Sequence, residues 1–131
     1  MMPEQKTILV IEDSATQSMQ LKKLLEGEGF KVLTALDGEK GLAMVKENHP
    51  NLIILDLQLP HMNGFQVAQE LKSSPDTRQI PIIMLTIHGE QESKRLGFQL
   101  GATEFIPKDR FATKVLVETL RQMGFLVNPP D

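Results

Sequence analysis

The chain contains no cysteine. That removes disulfides, zinc–thiolate sites and thiol nucleophiles, and fits a cytoplasmic protein. Tryptophan and tyrosine are absent and only six phenylalanines are present, too few for a platform on which bases could stack. No run of basic residues exists: 14 Lys and Arg stand against 17 Asp and Glu, for a net charge of −3. A cationic surface for nucleic acid is therefore not expected. Long apolar runs are missing too. The longest, such as residues 8–11 and 52–55, are short blocks, far from the ~18 consecutive apolar residues of a membrane span. Residues 1–7 are polar and lack a signal-peptide core. What remains, 131 residues with 40% hydrophobic and 24% charged, describes a single soluble domain over 1–131 with a core at about 7–123.

Short apolar blocks alternate with amphipathic stretches. Ile8-Leu9-Val10-Ile11, Leu52-Ile53-Ile54-Leu55 and Ile82-Ile83-Met84-Leu85 read as strands covered on both faces. Val32-Leu33 and Phe105-Ile106 are shorter, as strands nearer an edge would be. Helical spacing predicts helices over 14–28, 37–48, 65–73, 90–100 and 110–123. Ser14 and Gln17 have the spacing of a capping box. Asp37 can cap the second helix, and Gly29, Pro50, Pro75 and Gly101 stand at the stops. The tail Asn128-Pro129-Pro130-Asp131 is too short to lead into another domain. Strand and helix alternate five times, which predicts an α/β fold with a parallel sheet between helices. The flavodoxin-like doubly wound (βα)5 arrangement, with strand order 2-1-3-4-5, is the fold class expected.

The residue after each block carries the chemistry. The first block ends in Glu12-Asp13, the third in Asp56, the fourth in Thr86, and the fifth in Pro107-Lys108. Ligands bind such sheets beyond the carboxyl ends of the strands, where strand order reverses. In order 2-1-3-4-5 that point lies between strands one and three, so Glu12, Asp13 and Asp56 should converge. Clustered carboxylates repel and resist desolvation, so they call for a cation. All-oxygen ligation with retained water suits Mg²⁺. A metal, a lysine and a hydroxyl are the usual company of a phosphoryl group, and a carboxylate can itself be the nucleophile that takes it. Asp56, central and followed by a loop, is the candidate.

These residues resemble the receiver domain of two-component response regulators, and the chemotaxis single-domain regulators in particular. The match rests on Glu12-Asp13, on Asp56 followed by Leu59-Pro60-His61-Met62-Asn63-Gly64, on Thr86 and on Lys108, and spans about residues 7–123. The resemblance implies that Asp56 accepts a phosphoryl group from a histidine kinase or a histidine phosphotransfer protein. It implies Mg²⁺ held by Asp13, Asp56 and the carbonyl of Gln58, with Glu12 acting through metal-bound water. Lys108 would pair with phosphoryl oxygens beside Thr86 and Ile87. Thr86 and Phe105 would form the switch, read by a downstream protein on the face of the fourth helix, fifth strand and fifth helix. Homodimerisation of the phosphorylated form is left open. With no output domain after residue 123, output is expected to be protein–protein contact; the alternative is a receiver domain cut from a larger regulator.

Two positions depart from the family pattern. Asp109 follows Lys108 where proline is usual, so this peptide bond is expected to be trans and Asp109 could cap the fifth helix. Ile87 follows Thr86 where small residues are common, and a β-branched side chain there could crowd the pocket. His61 and His88 read as exposed loop residues, and His88 could tune access of water. Gly64 reads as a turn glycine. Three other readings compete. One is a receiver-like module that is never phosphorylated. A flavin protein would need a Ser/Thr/Gly-rich loop where Glu12-Asp13 stands. An Asp-x-Asp phosphatase would need an acid where Gln58 stands.

Overall fold

The computed structural model describes residues 5–126; the Pro-containing tail from Asn128 lies outside the described residues. The chain runs β1 (Thr7–Ile11), α1 (Ala15–Gly27), β2 (Lys31–Ala35), α2 (Gly38–Asn48), β3 (Leu52–Leu55), α3 (Gly64–Ser73), β4 (Ile82–Thr86), α4 (Gln91–Gln99), β5 (Glu104–Pro107) and α5 (Ala112–Gln122). The strands form one parallel sheet in the order β2-β1-β3-β4-β5, as the alternation predicts.

The two-residue period of a strand divides the core into two layers. Leu9 and Ile11 of β1 join Val45 of α2 and Val67, Ala68 and Leu71 of α3. Ile8 and Val10 join Leu25 of α1 and Leu116 and Leu120 of α5. The central strands are buried on both sides, which is why their sequences are uninterrupted apolar blocks.

Register then fixes where the strands end. Ile11 pairs with Leu55, so Glu12 and Asp56 leave the sheet side by side, and Asp56 N donates to Ile11 O at 3.1 Å. Thr86 pairs with Pro107, so Lys108 emerges beside Thr86, tied by its N–H to Thr86 O at 2.7 Å.

The helix ends follow local chemistry, with two corrections. Asp37 accepts from Lys40 N at 2.8 Å as the cap of α2, which closes on a left-handed His49 before Pro50. The capping box expected at Ser14 and Gln17 forms only by half. Ser14 Oγ accepts from Gln17 N at 3.3 Å, but the Gln17 side chain turns away, to Lys108. A complete box stands instead at Asn63 and Gln66, opening α3. Asp109 is not the cap of α5, which starts at Ala112 rather than at residue 110. The Asp109 carboxylate accepts from Phe111 N at 2.8 Å and its carbonyl accepts from Ala112 N at 3.0 Å, so an extra turn precedes the helix. No cis peptide bond occurs among the described residues, as expected for Lys108-Asp109.

Gly64 is more than a turn residue. A Cβ there would lie 2.4 Å from Asp56 O and 2.7 Å from Leu57 Cα. Its N–H also donates to Leu57 O at 2.9 Å. The start of α3 therefore rests directly on the backbone of the loop that carries Asp56. Backbone cannot rotate aside as a side chain can. Gly64→Ala should cost about 1–3 kcal/mol of stability through overpacking, read as a lower urea midpoint at unchanged m-value. An unshifted midpoint would refute this close approach.

Candidate functional site

Glu12, Asp13 and Asp56 each offer a carboxylate oxygen within 4.8 Å of one another. Glu12 and Asp56 are buried while Asp13 is exposed. Lys108 reaches this cluster from the end of β5. Its Nζ donates to Glu12 Oε1, to Asp56 Oδ2 at 2.8 Å and to Gln17 Oε1 at 2.6 Å. The other Asp56 oxygen, Oδ1, accepts from Gln58 N at 3.1 Å. Three segments distant in sequence, the ends of β1, β3 and β5, thus meet at the carboxyl edge of the sheet, the place where strand order reverses.

The electrostatics follow from burial. Glu12 is pushed up to about 7, first by burial and then by the adjacent Asp56 carboxylate, with Lys108 offsetting part of the rise. Burial also works against the Asp56 anion. It is outweighed by hydrogen bonds from the Glu12 carboxyl, Lys108 and the Gln58 N–H, so Asp56 stays below its ordinary range. For Lys108, burial opposes the charge, but Asp56 and Glu12 hold its affinity for the proton above the ordinary value. Without a metal, Glu12 therefore keeps its proton to a higher pH than a free carboxyl does, which eases the repulsion between the two buried acids. Glu12 Oε2 is buried with no hydrogen-bond partner. An orphaned oxygen in an all-carboxylate donor set fits a hard divalent cation and its bound water.

The remaining residues expected from the sequence surround this centre. Thr86 is fully buried at the end of β4, and its Oγ1 accepts from His88 N at 3.1 Å. Ile87 is 64% exposed and lines the groove between α1 and α5 with Lys108 and Asp109. His88 is half-buried, 3.6 Å by Nδ1 from Glu90 Oε1, and lines a second groove with Gln58, Leu59 and Phe65. His61 is exposed, in a left-handed conformation. Phe105 is buried away from the carboxylates, against Met84 and Gly97. Two contributors escaped the sequence reading. Gly64 was visible in the motif but not its contact with the Asp56 carbonyl. Gln17 carried a signal that pointed to a cap instead.

Comparison with known proteins bears on the family and the fold. The family profile described as the response regulator receiver domain matches residues 8–121. The phosphate regulon transcriptional regulatory protein PhoB of Rhizobium meliloti is 37% identical over 88% of this chain and 51% of its own length. Protein PilH of Pseudomonas aeruginosa is 33% identical over 77% of this chain and 84% of its own. Among solved structures, the chemotaxis response regulator CheY4 of Vibrio cholerae superimposes with a TM-score of 0.84 at 29% identity, covering 91% of this chain and 98% of that one. A Mn²⁺-bound form of response regulator Rcp1 gives 0.80 at 26% identity, covering 96% and 99%. The chain spans about half the length of the transcriptional regulators it matches. Among the described residues no helix is long and apolar enough to cross a membrane.

The shift of Glu12 has a measurable sign. Between its ordinary 4.5 and about 7, the metal-free folded state holds a proton that the unfolded chain has released. Stability should therefore fall as pH rises through that window. The stabilisation from Asp56 lies elsewhere: it is present above its ordinary 3.8 and is lost as pH falls further. Urea midpoints taken without divalent metal should decline across the Glu12 window in the parent and flatten in Glu12→Gln. Equal slopes in both proteins would refute the assignment to Glu12.

Proposed function

Since the chain belongs to the response regulator receiver domain family, we propose that it is a phosphoacceptor switch in which Asp56 takes a phosphoryl group from a histidine kinase or histidine phosphotransfer protein. The observation that carries this reading is the Lys108 ammonium bridging Asp56 and Glu12, next to three carboxylates gathered tightly enough to share one cation. Receiver domains are signalling modules of two-component systems rather than ordinary enzymes, and they bind Mg²⁺ at an acidic site.

In the proposed step, an Asp56 carboxylate oxygen bonds to phosphorus as the P–N bond of a phosphohistidine breaks. The imidazole leaves with the electron pair and is reprotonated, and Asp56 becomes an acyl phosphate. Hydrolysis returns the carboxylate and inorganic phosphate. Lys108 exchanges its Asp56 partner for a phosphoryl oxygen. The Thr86 hydroxyl already accepts from His88 N–H, so its own proton is free to donate. Glu12, Asp13, Asp56 and the Gln58 carbonyl are the residues that would hold Mg²⁺. When bound, the ion neutralises charge on the transferred group.

The signal is proposed to leave through α4, β5 and α5, where Leu96, Phe98, Phe111 and Val115 are exposed apolar residues. Action as a separate module, with a downstream protein as target, is supported by the likeness to PilH over most of that protein's length. The competing view, a module that never takes phosphate, draws on Asp109 beside Lys108 and on Ile87 beside Thr86, the two departures from the family pattern. Asp109 Oδ1 accepts from Phe111 N–H, and Lys108 donates to Glu12 and Asp56 despite its acidic neighbour.

The test is intact mass after incubation with Mg²⁺ and acetyl phosphate. The parent should gain one phosphoryl group and Asp56→Asn none. No gain with any donor would instead favour the unphosphorylated module.

A further inference from the structure

Ser14-x-x-Gln17 and Asn63-x-x-Gln66 have the same spacing and opposite outcomes. In the second, Gln66 Oε1 accepts from Asn63 N at 2.9 Å and the box closes. In the first, Gln17 forgoes its own helix end and accepts from Lys108 Nζ at 2.6 Å, across 91 residues of sequence. An ammonium has three protons to donate. Lys108 places them on Glu12, Asp56 and Gln17. Two of these partners are the buried acids of the site. The third is neutral and projects from an exposed turn of α1, where water could have served.

The direction of that third bond matters because of what lies beyond it. The Lys108 side chain is 16% exposed, and its open side faces a groove of about 620 Å³ between α1 and α5. Gln17, Gln20, Ile87 and Asp109 are part of the lining. An amine on a flexible four-carbon stem has alternatives there, including the Asp109 carboxylate.

We propose that Gln17 is a positioning residue: its amide oxygen fixes one Lys108 proton so that the other two stay on the carboxylates. This rests on Asp56 being the phosphoacceptor. When a phosphoryl group replaces the Asp56 contact, Lys108 keeps Gln17 as its pivot and travels only the distance from Oδ2 to a phosphoryl oxygen. Without Gln17 the ammonium samples the groove, and aim is lost at the moment of transfer.

Two variants test this. Gln17→Met keeps the length of the side chain but removes the acceptor, whereas Gln17→Glu keeps an acceptor oxygen. Gln17→Met should take phosphate from acetyl phosphate about threefold to tenfold more slowly, the range for loss of one exposed charge-assisted hydrogen bond. Gln17→Glu should recover most of the rate. The Lys108 ammonium ¹⁵N resonance, protected in the parent and in Gln17→Glu, should broaden by solvent exchange in Gln17→Met at unchanged Tm. Parent-like uptake and an intact ammonium resonance in Gln17→Met would overturn the proposal. So would slow uptake accompanied by a lowered Tm that Gln17→Glu does not rescue, since that marks a merely structural role. A parent that takes no phosphate would sink the phosphoacceptor reading instead, and the resonance would still decide whether Gln17 holds the lysine.

Discussion

One ammonium makes the rest of this arrangement tolerable. Sheet register brings the ends of β1 and β3 together, because Ile11 pairs with Leu55, and so it forces Glu12 and Asp56 into the same buried corner. Removing a carboxylate from water costs several kcal/mol even after relaxation, and two side by side cost more. Lys108 returns part of that cost by donating to both. Glu12 returns another part by keeping its proton. The site is therefore held near the edge of what the fold can accommodate. A cation, or a group that alters the charge of Asp56, acts on it strongly for that reason.

The supports around the carboxylates differ in stiffness. The loop after β3 is pinned at each step. Gln58 N–H holds Asp56, Gly64 N–H holds the Leu57 carbonyl, and the Asn63–Gln66 box closes the helix that follows. The loop after β4 is looser. His88 N–H reaches Thr86 Oγ1, but Ile87 is mostly exposed and the His88–Glu90 side-chain pair is long and solvent-facing. A pinned Asp56 beside a more exposed neighbour is the arrangement in which a new contact at the proposed acceptor would move the neighbour and leave Asp56 in place.

Much of this was legible in the sequence, and the reasons are physical. A strand covered on both faces must be apolar throughout, so β1, β3 and β4 announced themselves and their last residues located the site. Lys108 and Thr86 were found by the same logic. The resemblance to receiver domains added roles that spacing alone could not assign. Contacts that depend on where two distant pieces of backbone touch could not be read. The need for glycine at residue 64 comes from the Asp56 carbonyl eight positions earlier, and no local pattern encodes that distance. Gln17 was misread because its spacing from Ser14 satisfies a local rule that a tertiary partner overrides. The start of α5 was placed early for a similar reason: Asp109 has the composition of a cap, but its carboxylate is used one turn before the helix.

The route from the site to the outer face is short. Lys108 and Thr86 share a backbone hydrogen bond, so the two groups proposed to meet the phosphoryl oxygens stand on one rigid pair of strands. Two residues back along that pair, Met84 sits in register with Phe105. Both press on Gly97 of α4, where a Cβ would come within 2.9 Å of the Met84 sulfur and 3.0 Å of the Phe105 ring. The inner side of α4 is thus closely packed on Met84 and Phe105 at Gly97, so a rearrangement of Thr86 and Phe105 of the kind proposed would bear on α4. The outer side of that helix carries Leu96 and Phe98, and the neighbouring α5 carries Val115, all exposed. A tightly packed inner face beneath an exposed apolar outer one is what the proposed switch would need for a change of charge at Asp56 to be felt as a change of shape at the surface.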